Sequence, residues 1–351
     1  MEHLIDDPRF VSALLSVMVM VSAGRQIFAN YATKSFKSYV VQGLLMMAAL
    51  FGLAMAAAPL GTDENLIAKL FNFLGVEVAP WMTVVGLIIF FGVFMATDPA
   101  GVEVGGLVAG PKGLMSIMAF FAVIISGAND PAALVWILAK THPETLWVVM
   151  GASLTVGGAM GWFMSKFRQT PVHTLTAVLL IPATYYLSVA ALTSGFIAGA
   201  IIGMRQTKPE DHFQGSTKWE TGTLIAMFII LIYILTRGVY WDGAAVVYAL
   251  GSRLVLVVAP LVLVGCVHAL IKKDISYLKA WTYIAVASIP AVGVPAVVAV
   301  ETAHLGELEL SNAIKVGALS CTLVGFPLTI YLSKRWANLS HKLWGAHPIS
   351  H

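Results

Sequence analysis

Long apolar stretches separated by short polar punctuation run through the whole chain. Crossing a bilayer takes ~20 apolar residues, and the pattern predicts about eleven such spans. They fall near 10–24, 38–60, 81–110, 113–139, 146–165, 171–188, 190–204, 221–237, 243–271, 280–302 and 311–333. Residues 63–78 place Leu66, Ile67, Leu70, Phe71 and Leu74 on one side of a helix too short to span. That segment reads as an amphipathic helix lying in the interface. The fold class expected is therefore an all-α polytopic membrane protein.

Composition agrees with the pattern. Of 351 residues, 58% are hydrophobic and 11% charged, against roughly 25% charged in soluble globular chains. The net charge of +3 includes no Lys/Arg run of the kind that grips nucleic acid. Cys266 and Cys321 sit inside apolar runs without CxxC or Cys/His spacing, so they read as packing residues. Residues 1–9 carry Glu2, Asp6 and Asp7 and lack a basic n-region, which argues against a cleaved signal peptide. There is no nucleophile elbow, P-loop or HExxH. No cofactor is expected, and the reading is a transporter rather than an enzyme.

Basic residues fix the expected orientation. Arg25, Lys34 and Lys37 follow the first span, Lys166 and Arg168 the fifth, and Arg205 and Lys208 the seventh. Lys272, Lys273 and Lys279 follow the ninth, and Lys334, Arg335 and Lys342 the last. If the spans alternate, all these loops share one side, while Asp63, Glu64, Glu301, Glu307 and Glu309 lie on the other. By the positive-inside rule the N-terminus is outside and the C-terminus inside. Trp81, Trp147, Trp219 and Tyr240 fall at span ends and read as interface belts, and Arg237, Asp242 and Lys140 as interfacial charges.

Two spans are interrupted. The third contains Thr97-Asp98-Pro99, and the tenth contains Pro290, Gly293 and Pro295. A proline removes one helical hydrogen bond and frees the carbonyl four residues earlier. Pro99 and Pro131 would free Met95 and Gly127, and Pro290 and Pro295 would free Val286 and Ala291. One interrupted helix in each half points to an inverted-repeat transporter whose site lies where the breaks meet. Ordinary proline-kinked helices are the plainer alternative.

Asp98, Asp130 and Arg253 lie within apolar spans, roughly 13–25 Å deep in a ~30 Å slab. A charge there costs at least ~2.5–3.5 kcal/mol, which makes function the default reading and an internal salt bridge the alternative. Two acids against one base leave a carboxylate over. Asp130, held dry, can carry a proton or a cation and rarely both, and that competition is itself an exchange mechanism. Ser126, one turn earlier, and Asn129 supply hard oxygen ligands, with Thr97 and Asp98 from the broken span. Such donors suit alkali cations, so Asp130 is the candidate metal ligand. Arg253 stays charged, and its expected task is to neutralise Asp98 and cap the open carbonyl ends. Glu103 is a candidate for an access path, and Glu301, ending the tenth span, reads equally well as a solvated rim acid. His142, His173, His212, His268 and His304 do not cluster in the sequence.

Taken in order, these segments resemble the monovalent cation/proton antiporters, which include the sodium/proton exchangers. ATDPAGVE at 96–103 is similar to that family's Thr-Asp-Pro break, and GANDPAALV at 127–135 to its Asn-Asp ion-binding helix. LTSGFIAGAIIG at 192–203, LGSRLVLV at 250–257 and WTYIAVASIPAVGVPAVVAVE at 281–301 resemble its small-residue helix, its basic helix and its second crossing helix. The resemblance covers residues 80–335. It implies that Asp130 alternates between proton and cation with Asn129 beside it. Thr97 and Asp98 would support crossed half-helices, with Arg253 as their basic partner. It also implies elevator-like movement of a core domain against a dimerisation domain, and electroneutral exchange of Na⁺, Li⁺ or K⁺ for H⁺. Two features depart from the family. Ile125 stands where electroneutral members carry a Glu, and the chain is expected to lack the family's first helix or two.

The expected organisation is N-terminal scaffold helices with the interfacial helix over 1–79, then a first core half with the Asn-Asp site over 80–170. Scaffold helices and a cytoplasmic linker follow over 171–220, a second half with Arg253 and the second broken helix over 221–335, and a cytoplasmic tail over 336–351. Expected partners are the lipid bilayer, a second copy in a homodimer or other membrane subunits, and no nucleic acid. The expected location is a bacterial inner membrane. Two other readings stay open: an ion-translocating or membrane-anchoring subunit of a larger complex on an antiporter-like scaffold, and a scaffold or sensor that has lost transport.

Overall fold

The computed structural model describes residues 79–95, 144–167, 190–205 and 218–336, with positions scattered over 9–24 and 175–180. Every regular element among the described residues is helical, and no strand occurs there. After helical positions between 9 and 24, the elements are α1 (Val84–Met95), α2 (Leu146–Met164), α3 (Ala190–Arg205) and α4 (Lys218–Thr236). Then come α5 (Gly243–Ser252), a π-helical turn (Arg253–Val258), α6 (Ala259–Lys272), α7 (Ile275–Ala287), α8 (Gly293–His304) and α9 (Leu308–Trp336). Among the described residues, three stretches are long and apolar enough to cross a membrane: Leu146–Met164, Gly243–Lys272 and Leu308–Arg335. The interfacial helix expected at 63–78 and the span expected at 113–139 lie outside the described residues.

The outer surfaces have the character of a membrane protein. Along α6, Leu263, Val264, Val267, Leu270 and Ile271 are exposed, as are Trp147, Val148, Leu154, Trp162 and Phe163 on α2. Apolar surface this continuous is stable when it faces lipid rather than water.

Small residues set the closest helix packing. On α2, Ser153, Gly157, Gly161 and Met164 lie on one face and are buried, and on α3 Ser194, Ala198 and Ile202 are buried likewise. A Cβ on Gly157 would stand 2.5 Å from the Ser194 carbonyl oxygen, and one on Gly161 would stand 2.7 Å from that of Ala198. The Ser194 hydroxyl donates to the Ser153 carbonyl at 2.8 Å. Close backbone approach through small residues drives association where lipid removes the hydrophobic incentive. The opposite side of α3 meets the N-terminal segment: a Cβ on Gly24 would stand 2.3 Å from the Phe196 carbonyl, and one on Gly195 would stand 3.0 Å from Val17. The run of small residues at 192–203 thus serves two interfaces. Gly161→Leu is expected to destabilise the protein by at least ~1–3 kcal/mol through overpacking, read as a fall in melting temperature in detergent.

α1 sends Phe90 and Phe94 into the core against Trp81, with ring centroids 4.6 Å apart in both the Trp81–Phe90 and Phe90–Phe94 pairs. Trp81 is buried, and its indole N–H donates to Asp242 at 2.9 Å. It is a core residue, which corrects its reading as an interface aromatic. Asp242 in turn accepts from the Ala245 amide and caps α5, satisfying one of the open N–H groups of a helix start. Trp147 and Tyr240 are exposed, as belt residues would be.

Two tight turns order the second half. α6 closes on Lys273 in a left-handed conformation, and Asp274 opens α7 by accepting from the Ser276 amide at 2.8 Å. The hairpin that results is close, for a Cβ on Gly265 would stand 2.6 Å from that of Trp281. Between α8 and α9 the chain turns on Gly306 at φ +86°, where a side chain would be strained.

Candidate functional site

The segment expected as the tenth span, 280–302, belongs to two helices. α7 ends at Ala287, residues 289–292 are non-helical, and α8 starts at Gly293. Pro290 falls in the gap, whereas Gly293 and Pro295 occupy the first turn of α8, where a missing N–H costs nothing. All of 287–299 is buried, so the opened backbone needs partners inside the protein.

Three carbonyls at the break have partners. Val286 accepts from the Ile289 amide at 3.0 Å in a tight turn. Ala291 accepts from the Thr322 hydroxyl of α9 at 3.0 Å. Ser288 accepts from Nη1 of Arg253 at 3.0 Å, and its own hydroxyl returns to the Ile284 carbonyl at 2.9 Å. Val286 and Ala291 are the carbonyls that the prolines are expected to free. The gap fits against α9 because residue 325 is glycine: a Cβ there would stand 2.6 Å from the Pro290 ring.

Arg253 is fully buried. It opens the π-helical turn, in which the Ala259 amide bonds back to the Leu254 carbonyl five residues earlier. Pro260 follows at once, and the wide turn gives its ring room where a regular helix would clash. The guanidinium has the Cys321 thiol of α9 within hydrogen-bonding reach. Arg253 thus supplies a hydrogen-bond donor to the carbonyl that follows α7. A fixed positive charge beside the C-terminus of α7 complements that helix dipole in a dry interior.

The acidic side of the expected site lies elsewhere. Thr97, Asp98, Pro99, Glu103, Ser126, Asn129, Asp130 and Pro131 all fall outside the described residues, as does Ile125. Among the described residues no three His, Cys, Asp or Glu side chains gather as a metal site.

Comparison with protein-family models finds no match, and comparison with curated proteins finds no significant one. The site must be read from its own residues.

Glu301 differs from its expectation as a solvated rim acid. It is buried, 2% exposed, and forms a two-pronged ion pair with Arg9. Arg9 Nε donates to Oε1 at 3.0 Å and Nη2 to Oε2 at 2.9 Å. An acid in the last turn of α8 opposes the helix dipole and has to be compensated. The signal for the pair was present in the sequence: Arg9 precedes the first span and Glu301 ends the tenth, so both fall on the same expected side. Thr322 and Cys321 gave no such signal, since a hydroxyl and a thiol inside an apolar span have many bland uses.

Proposed function

We propose that this chain is a secondary transporter that exchanges Na⁺, or Li⁺ or K⁺, for H⁺ by alternating access, electroneutrally. The observation that carries the reading is Arg253, a fully buried guanidinium seated on the carbonyl end of a helix broken within the apolar interior. Structural helices in a bilayer have no use for both an open backbone and a buried charge, whereas ion pathways need them. In this proposal Asp130 takes a proton or an alkali ion in turn, Asn129 and Ser126 complete the ion's oxygen shell, and Thr97 and Asp98 bring the first broken helix to the second. Arg253 holds the electrostatic balance while the proton and the cation trade places. The proposal extends to about eleven spans with the N-terminus outside, to a homodimer, and to a bacterial inner membrane.

The test is flux by the purified chain in liposomes carrying an internal pH dye. Adding Na⁺, Li⁺ or K⁺ on one side is expected to collapse an imposed proton gradient, at a rate that a clamped voltage leaves unchanged. No response to any of the three ions would remove the transporter reading for the chain alone. Flux that appears only with co-purified subunits would favour the complex-subunit reading.

A further inference from the structure

We propose that Arg237 and Lys315 seat the phosphate of an anionic phospholipid at the membrane interface, with one acyl chain lying along α4. The inference goes beyond the transport reading and does not rest on it.

The two cations come from different helices. Arg237 follows Thr236, the last residue of α4, and Lys315 lies two turns into α9. The Lys315 ammonium donates to the Arg237 carbonyl at 2.9 Å, and the Arg237 guanidinium is near enough to act on that ammonium as a like charge. Their spacing is fixed by a neighbour. Asn312, buried one turn before Lys315, accepts from the Tyr240 amide at 2.9 Å and donates to the Tyr240 carbonyl at 3.0 Å. The chain leaving α4 is thereby tied to α9 on both of its backbone polar groups.

Two like charges held together repel, and more strongly where water is thinned out. Capping the end of α4 explains one of the three ammonium hydrogens and leaves the guanidinium fork unused. Among the described residues no carboxylate pairs with either cation. The guanidinium sits over the Tyr233 ring, 5.9 Å from its centroid, which holds the fork without neutralising it. A phosphate between the two removes the repulsion and takes up the open donors.

The surroundings select a lipid over a free anion. Ile225, Ile229, Tyr233 and Arg237 recur at every fourth position, and all four are exposed. From Ile225 to Arg237 the rise is about 18 Å, close to one leaflet of a hydrocarbon slab of ~30 Å. An apolar track of that length ending in a cation has the shape of an acyl chain below its headgroup. Tyr240 and Trp241, both exposed, stand beside the cations at the level where amphipathic rings meet headgroups. In the expected orientation this end faces the side poor in Lys and Arg, so the positive-inside rule gives no reason for a basic pair there.

The test titrates the purified full-length protein in detergent with dioleoylphosphatidylglycerol or dioleoylphosphatidylcholine and counts bound lipid by native mass spectrometry. Wild type is compared with Arg237→Gln, with Arg237→Gln/Lys315→Gln, and with Lys272→Gln/Lys279→Gln, which removes the same charge at the α6–α7 hairpin. Wild type is expected to hold phosphatidylglycerol at least about tenfold more tightly than phosphatidylcholine. Arg237→Gln should lose about fivefold of that affinity and the double variant about thirtyfold, while the hairpin variant keeps it. Arg237 is exposed, so its single variant carries the test if losing the Lys315 cap keeps the double variant from folding. Phosphatidylglycerol affinity within about twofold of wild type in the Arg237 and double variants would overturn the seat. So would an equal loss in the hairpin variant, which marks general surface charge, or equal wild-type affinity for the two lipids. Melting temperatures with inorganic phosphate complete the test. A rise that the double variant loses, with no rise from phosphatidylglycerol, assigns the pair to a free anion and overturns the lipid.

Discussion

Arg253→Ala is expected to destabilise the protein by ~3–5 kcal/mol, the range for removing one partner of a buried charged contact. Two losses combine. The Ser288 carbonyl loses its guanidinium donor in a place that water does not reach. Removing this large, fully buried side chain also leaves a cavity between the π-turn, α7 and α9. The melting temperature in detergent should fall clearly, and Arg253→Lys should recover only part of the loss, since an ammonium lacks the planar fork. A melting temperature equal to wild type in Arg253→Ala would mean that the break stands without its cap, and the central electrostatic argument would go with it.

The largest functional effect is expected at Asp130. Asp130→Asn keeps the size of the side chain and one acceptor oxygen but can neither ionise nor carry the proton. Cation-driven proton flux in liposomes should fall to the protein-free level, while the melting temperature stays at or above that of wild type, because an uncharged amide is easier to hold in apolar surroundings. Stability and flux would then move in opposite directions in the two variants, Arg253 acting first on the fold and Asp130 on the exchange. Flux at the wild-type rate in Asp130→Asn would take residue 130 out of the mechanism.

How much of this was legible in the sequence depended on whether a signal was local. Helix limits at 146–165, 190–204, 221–237 and 243–271 came within a few residues of Leu146–Met164, Ala190–Arg205, Lys218–Thr236 and Gly243–Lys272, because an apolar run between charges has few other readings. The gap in the tenth span was legible from Pro290, and the freed carbonyls from simple counting back along the helix. The partners of those carbonyls were not. Thr322 and Gly325 matter through what lies opposite them, and spacing along one helix says nothing about its neighbour. Trp81 shows the same limit: its position at a span end fitted an interface belt, but Asp242, far away in sequence, supplies the acceptor that lets the indole be buried. Of the residues named for the candidate site, Arg253, Pro290, Gly293 and Pro295 lie among the described residues, while those at 97–131 rest on the sequence reading.

The wide turn beginning at Arg253 also settles how the surrounding helix keeps its bearing. Buried positions there recur at every fourth residue: Ala245, Ala249, Arg253, Val257, Leu261 and Gly265. In an unbroken α-helix such a stripe would wind away by about 40° at each step, carrying Gly265 round towards lipid. One surplus residue absorbs about 100° of that drift, so along this thirty-residue rod Ala249 faces Gly317 of α9 at one end while Gly265 meets Trp281 of α7 at the other. Any chimera or alignment that closes up this surplus would leave the guanidinium end correctly aimed and swing the α6 end off Trp281.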